Sequence, residues 1–475
     1  MVWQSPAVAD DKRRSIEVSE IHRTLESALL SHLDDPDPEI AARAALAIGR
    51  TKNAGGIDAL LAHVHSTSPV VRAMATYALG LVGDGRPAIA TALTDAARDE
   101  NSAVRYAAVD AIGRIQRDHP LSGAAEDERA RFVFALAAHD ADAAVRGHAA
   151  LQLDVFATAP AARDMAAALE RLETSERDPD VRWHVAFVLY RAYAKLGDRA
   201  FFVRAAHDPE ELVRVETVRA LGKRAELATR PLVLSLLADP SWRVQFEARE
   251  ALRAFVKLGR SEHLVAMPPG IHLPDPNGPR VPFALSPETL GVAPFEDPAA
   301  PDPERFPLSD AKLPITAEAM NGPAPGPHPR VLIRTTRGDV VVRLYPEWAP
   351  STVANFLALA RTGYFDGNRW FRIVPDFVTQ TGDPTGDPDA EAGYTIPAEE
   401  NPVEQRSGII AMGLDYKDGR ALRDSAGTQF YLTLSPQPYL GRDFSVFGEV
   451  ESGFGTLANL VESDRMIIVR RIDDR

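Results

Sequence analysis

One phrase recurs through the first half of the chain and decides what that half can become. A short polar or Asp-Pro opening is followed by Val-Arg, then by alanines and leucines at helical spacing. Examples are "SPVVRAMATYALG" (68–80), "NSAVRYAAVDAIG" (101–113), "DPDVRWHVAFVLY" (178–190) and "EELVRVETVRALG" (210–222). The arginines of this slot are Arg72, Arg105, Arg146, Arg182, Arg214 and Arg243, between 29 and 41 residues apart. A first copy over 35–49 has Ile40-Ala41 in the slot. A unit of this size made of paired helices cannot bury its apolar face alone. Stacking must supply the core, so the expected architecture is an all-α solenoid. Asp at the turn caps the following helix. The slot arginines read as an internal Asp–Arg ladder rather than as a binding site.

The repeats resemble HEAT repeats and extend over about 17–265, after an N-terminal tail over 1–16. Such a solenoid implies a scaffold with a face for a protein or peptide partner. The total of 475 residues exceeds one ordinary domain. The formal net charge of −14 argues against nucleic acid and against anionic membrane surfaces as partners, since both need clustered Lys and Arg. With no cysteine, thiolate chemistry and disulfides are excluded. No apolar run is long enough to span a bilayer. The first residues lack the basic-then-apolar layout of a secretory signal. A soluble cytoplasmic or periplasmic chain is expected.

Residues 266–329 change character, and 17 of the 37 prolines lie there. Proline at this density removes helix and favours an extended linker. Phe283, Leu285, Leu290, Val292, Phe295 and Phe306 are too apolar for a fully solvated tether. The middle of this segment is therefore expected to lie along the solenoid or between the domains.

From 330 to 475 the pattern turns to strands. "RVLIRTTRGDVVVRLYP" predicts a hairpin around Gly-Asp. "STVANFLALARTG" predicts a helix with Ser351 as a cap-type residue and Gly363 as its stop. Further strands are expected at 369–374, 377–382, 408–412, 428–434 and 445–450. A second helix around 453–463 and a last strand, "MIIVRRI", complete a closed β-barrel with two helices.

All 12 histidines lie at or before His328, so the β domain has no His and no Cys of its own for a catalytic triad or a zinc site. Asp383, Asp387, Asp389 and Glu391 do not follow a calcium-loop spacing and read as a solvated turn. No metal or cofactor is expected. What remains is "FRIVPDFVTQTGDP" (371–384). Val378 and Gln380 share one strand face, and Arg372 joins them if its strand pairs alongside. Two readings stay open on local grounds. Arg372 either faces water with Gln380 satisfying it, or it is a fixed cation at a partly apolar surface. Phe430 and Phe447 read as core.

The neighbouring blocks "YFDGNRWFRIVPDFVTQTGDPTGD" and "SAGTQFYLTLSPQPYLGRDFSVFGEV", with "RGDVVVRLYPEWAPSTVANFLALARTGYFDG" before them, closely resemble cyclophilins, the peptidyl-prolyl cis-trans isomerases. The resemblance covers about 330–472. It implies a cyclophilin-like barrel and isomerisation of X–Pro bonds in proline-containing polypeptides. Carried over by position, it implies that Arg372 is catalytic and that Gln380 supports it. Phe377, Val378, Gln429, Tyr431 and Leu440 then line the proline pocket, Tyr431 replacing a usual phenylalanine and Val378 a methionine. Tyr439 stands where many members have tryptophan, Phe444 replaces a frequent histidine, and Gly413 replaces an alanine. The changes at Tyr439 and Phe444 imply weaker inhibition by cyclosporin. Between Met412 and Gly427 the chain is about six residues longer than the common form. Two further readings stand beside the enzyme: an adaptor that only binds proline-containing segments, and a domain inhibited by the chain's own Pro-rich segment.

Overall fold

The helices that carry the repeated phrase lie side by side in chain order. Pro38–Thr51, Pro69–Val82, Ser102–Asp118, Ala143–Gln152, Pro179–Val188, Glu211–Arg224 and Trp242–Glu262 each pack on the next. Shorter or more amphipathic helices, such as Ile57–His63, Pro87–Ala96 and Ala162–Ser175, alternate with them. Close stacking is bought with glycine. A Cβ on Gly80 would stand 2.6 Å from the Ala111 Cα, and one on Gly49 2.7 Å from the Ala78 Cα. The computed structural model describes residues 6–262, 328–387, 392–418, 420–462 and 464–472, which fall into two units divided between Val281 and Pro282. The Pro-rich segment through residue 327, with Phe283, Leu285, Leu290, Val292, Phe295 and Phe306, lies outside the described residues, as do Asp389 and Glu391. Among the described residues no helix is long and apolar enough to cross a membrane.

Five of the six slot arginines reach forward to the acid that opens the next repeat. Arg72 Nε and Nη2 donate to Asp99 at 2.8 and 2.9 Å. Arg105 does the same to Asp140, both bonds at 2.7 Å, and Arg214 to Asp239, both at 3.0 Å. Arg146 bonds Glu176, and Arg182 bonds Asp208 and Glu173. Nη1 of Arg72, Arg105, Arg146 and Arg214 donates to the backbone carbonyl six residues earlier, at 2.9–3.0 Å. The acids also accept a backbone N–H two residues on, as Asp99 does from Asn101 and Asp140 from Asp142. The guanidinium thus staples two turns, and the planar fork of arginine suits it for this.

The last copy departs from the expected slot. Gln245, not Arg243, donates to the carbonyl six residues back, that of Asp239, at 2.7 Å, and the Arg243 guanidinium instead lies over the Trp242 ring. Function is set by distance from the turn acid, which the Trp-Arg-Val wording of this copy displaces by two. The expected N-terminal tail is also corrected: Pro6–Ile21 is a helix that packs on Pro38–Thr51 and buries Ile16 completely. Its Lys12 pairs with Asp35 at 2.5 Å, a lysine doing for the first turn what arginine does for later ones. Its Glu20 is buried against Arg43 and Arg50, the latter fully enclosed and 2.5 Å away. Burial alone would raise the Glu20 pKa; the two guanidiniums overcome it and hold it at about 2.

The described residues of the second unit include ten strands. They are β1 Arg330–Thr335, β2 Gly338–Leu344, β3 Arg372–Val374, β4 Val378–Thr381, β5 Ile409–Met412, β6 Tyr416–Lys417, β7 Arg420–Ala421, β8 Phe430–Thr433, β9 Val446–Ser452 and β10 Met466–Arg471. Eight form one antiparallel sheet in the order β10-β1-β2-β9-β5-β8-β4-β3, and β6-β7 form a separate hairpin. The sheet curls until its edges meet. Gly367 N–H bonds the Met466 carbonyl, Met466 N–H the Asn368 carbonyl, and Trp370 N–H the Asp464 carbonyl, at 2.6–3.0 Å. Closure of this kind removes exposed strand edges. Phe356, Phe365, Phe430 and Phe447 pack ring on ring inside, with Trp370 fully buried.

Local expectations shift at four places. The first hairpin turns at Thr336-Arg337, and Gly338-Asp339 already begin β2, with Thr335 Oγ1 donating to the Gly338 carbonyl at 2.8 Å. The helix Pro350–Thr362 is not capped by Ser351. Pro350 opens it, and the N–H groups of Ser351 and Thr352 donate to the buried Glu399 carboxylate at 3.0 and 2.8 Å. A distant acid thus satisfies orphan donors at the positive end of the helix. Asp383 is buried rather than solvated and accepts the Thr385 N–H at 2.8 Å. The last helix is short, Phe454–Ala458.

Candidate active site

Cross-strand register assembles the site. Arg372 on β3 is opposite Gln380 on β4, Gln380 is opposite Tyr431 on β8, and Tyr431 is opposite Ala411 on β5. Residues directly opposite in an antiparallel sheet project to one face. The alternate row, Ile373, Leu432 and Ile410, joins the aromatic interior. The row containing Arg372 therefore lies on the outside of the barrel, where Val378, Ile409, Ala411, Tyr431, Leu440, Phe444 and Val446 form a second apolar cluster. Phe377, Tyr439 and Leu414 are half-buried against it.

A chain of amides steadies the cation. Arg372 Nη1 donates to Gln380 Oε1 at 3.3 Å, and Gln380 Nε2 donates to Gln429 Oε1 at 3.1 Å. Gly413 N–H bonds the Gln429 carbonyl at 2.8 Å, and a Cβ at Gly413 would stand 3.2 Å from Gln380 Nε2. Glycine leaves that amide unobstructed. The Arg372 guanidinium is exposed and its carbon lies 5.6 Å from the centre of the Phe377 ring. Phe377 is aimed by the turn after β3. Asp376 takes φ 53°, Phe377 N–H bonds Val374, and Leu434 N–H bonds Phe377, while Ser435 Oγ donates to Asp376 O.

The remaining wall comes from β8 and the 3-10 turn Pro438–Arg442, whose Leu440 is buried and whose end brings in Phe444. The Tyr431 and Phe444 rings meet edge to face, centroids 5.5 Å apart. Tyr431 is 4% exposed, and burial pushes its phenol well above the ordinary value. Its hydroxyl donates to Gln405 Oε1 at 2.7 Å. Gln405 was not singled out in the sequence; its signal, a glutamine in the loop before β5, is weak until the partner is known.

All ten candidate residues, Arg372, Gln380, Phe377, Val378, Gly413, Gln429, Tyr431, Tyr439, Leu440 and Phe444, thus fall on one outer face. Sequence reasoning missed how "PAEEN" (397–401) braces that face. Glu399 caps the helix, Asn401 Nδ2 bonds the Val446 carbonyl at 2.8 Å, and Glu400 pairs with Arg423 at 2.6 and 3.1 Å. The lengthened loop also holds the hairpin β6-β7, which carries Tyr416.

Fold and face together define a closed antiparallel barrel with an apolar cluster on its outer wall beside a tethered cation. The family described as cyclophilin type peptidyl-prolyl cis-trans isomerase/CLD matches residues 330–470, and HEAT repeats match 26–113, 66–154 and 199–267. Peptidyl-prolyl cis-trans isomerase B of Bacillus subtilis is 41% identical over 129 residues, 27% of this chain and 86% of that protein. A peptidyl-prolyl cis-trans isomerase of Synechococcus elongatus is 31% identical over 147 residues, 30% of this chain and 97% of that protein. A crystal structure of a Cryptosporidium parvum cyclophilin aligns at 25% identity with a TM-score of 0.29, covering 31% of this chain and 99% of that one. The chain belongs to the cyclophilin-type peptidyl-prolyl cis-trans isomerases and carries HEAT repeats in its N-terminal unit.

Proposed function

We propose that the outer face of the barrel catalyses rotation about X–Pro bonds in polypeptide substrates, with Arg372 as the catalytic group, and that the HEAT repeats hold the protein partner or client. The observation that carries this reading is the Arg372–Gln380–Gln429 chain running beside the Phe377–Val378–Tyr431–Leu440–Phe444 cluster.

The chemistry asks little of the side chains. An amide resists rotation by about 18–20 kcal/mol because resonance must be broken, and an X–Pro bond turns over tens to hundreds of seconds. No covalent bond forms and no net proton moves. The site has only to bind the twisted amide better than either planar form. The apolar cluster anchors the proline ring, and Tyr439 and Gly413 border the peptide. Arg372 donates to the amide as its nitrogen becomes pyramidal, and Gln380 keeps the guanidinium aimed. Millisecond turnover requires lowering the barrier by roughly 5–7 kcal/mol. A charged hydrogen bond and a held ring supply interactions of the kind required.

A proline-isomerisation assay on the full chain, with Arg372→Ala as control, tests the reading. Turnover in the parent and its loss in the variant are expected. Equal rates in both would favour an adaptor that binds proline-containing segments without catalysis.

A further inference from the structure

The hairpin β6-β7 stands over the edge of the apolar cluster and is held there from three sides. Tyr416 pairs with Ala421 across the hairpin, and Ala421 packs against the cluster. Leu422 N–H bonds the Asp415 carbonyl at 2.7 Å, and Asp415 N–H bonds Ser425 Oγ at 2.9 Å. At the base, Arg423 is locked to the buried Glu400, and Asp424 Oδ1 accepts the Ala398 N–H at 2.7 Å. A segment braced this way presents its side chains in a fixed place.

What it presents is aromatic. Tyr416 is 60% exposed, the most exposed large apolar side chain among the described residues of the barrel, and Leu422 beside it is 39% exposed. The Tyr416 ring lies 6.4 Å from Phe444, centroid to centroid and tilted by 39°. Phe444 in turn meets the Tyr431 ring. Partial burial raises the Tyr416 phenol, and the charges of Asp443 and Arg372 are both felt there. The apolar surface of the proline site therefore continues through Phe444 onto an open aromatic ring close to the catalytic arginine.

We infer that Tyr416, on the braced hairpin, determines specificity by stacking on a large apolar or aromatic residue flanking the proline of the substrate. This rests on the isomerase reading for the position of the proline. A bound proline segment brings its neighbouring side chain over the rim, where Tyr416 offers area that water now covers. Aromatic pairs are favoured beyond simple burial, and a tyrosine loses little freedom when it is covered.

The test uses the full chain and short peptides in which the residue before or after proline is Gly, Leu or Phe. Affinity is measured by calorimetry, and turnover by exchange spectroscopy without a coupling protease. The parent should favour Phe and Leu over Gly on one side of proline. Tyr416→Ala should reduce that preference roughly three- to tenfold, and Tyr416→Phe should restore it. An unchanged Phe-to-Gly affinity ratio in Tyr416→Ala would overturn the inference, whatever the turnover. Absence of turnover with every peptide, while the Phe preference still depends on Tyr416, would instead overturn the isomerase reading and leave the stacking role supported.

Discussion

Arg372 and Gln380 stand directly opposite one another on β3 and β4, and the glutamine accepts from the guanidinium at 3.3 Å while donating onward to Gln429. A freely turning arginine would spread its charge over many directions. The amide chain narrows them, and sheet register determines where they point.

Gln380→Leu keeps the volume of the side chain and removes both hydrogen bonds. Arg372 retains its charge but loses its aim. The expected result is a fall in kcat/KM of about tenfold, carried mainly by kcat, against about a hundredfold for Arg372→Ala. Peptide kinetics on both variants check it, and equal losses would show that Gln380 does more than orient.

Tyr431→Phe separates the ring from its hydroxyl. The ring keeps its contact with Phe444, so kcat/KM should stay within about threefold. Gln405 Oε1 loses its donor in a buried place, which should cost about 1–3 kcal/mol of stability. Denaturant unfolding followed beside the activity assay reads both quantities.

The slot of the first repeat holds Ala41, and the next turn opens with Ser66 in place of an acid. Arginine and acid are thus missing together from one rung, as expected if each is useful only with its partner. Arg105→Ala leaves Asp140, 4% exposed, without its guanidinium, and should destabilise the helical unit by about 3 kcal/mol. Ala41→Arg combined with Ser66→Asp should show a favourable coupling of about 1 kcal/mol relative to the two single changes. Strict additivity in that cycle would argue against a ladder.

Glu20 gives the helical unit an acid limit. Its carboxyl is held near 2 in the folded chain against an ordinary 4.5, so the folded state keeps it ionised where the unfolded chain takes up a proton. The stabilisation is complete above about pH 5 and is lost as pH falls from 4.5 towards 2. Asp99, drawn down chiefly by its bond from Arg72, and Asp140, where Arg105 overcomes burial, act in the same direction. Glu20→Gln should cost about 3 kcal/mol at pH 7 by leaving Arg50 buried without its anion. The gap between parent and variant in thermal melts followed by helical dichroism should narrow at pH 3.

Much of this was visible in the chain as written. The period of the Val-Arg phrase required stacked helix pairs, because a unit of that length cannot bury its own apolar face. Alternation along 371–381 put Val378 and Gln380 on one side, because side chains on a strand repeat every second residue. The absence of His and Cys beyond His328 removed whole classes of catalyst from the barrel. Other features needed partners far away in the chain. Arg105 finds Asp140, Ser351 and Thr352 find Glu399, Tyr431 finds Gln405, and Arg423 finds Glu400. Local pattern reports which way a side chain points within its own element. Only packing decides which group from another element meets it there, since that depends on register and loop path, which composition and periodicity do not encode.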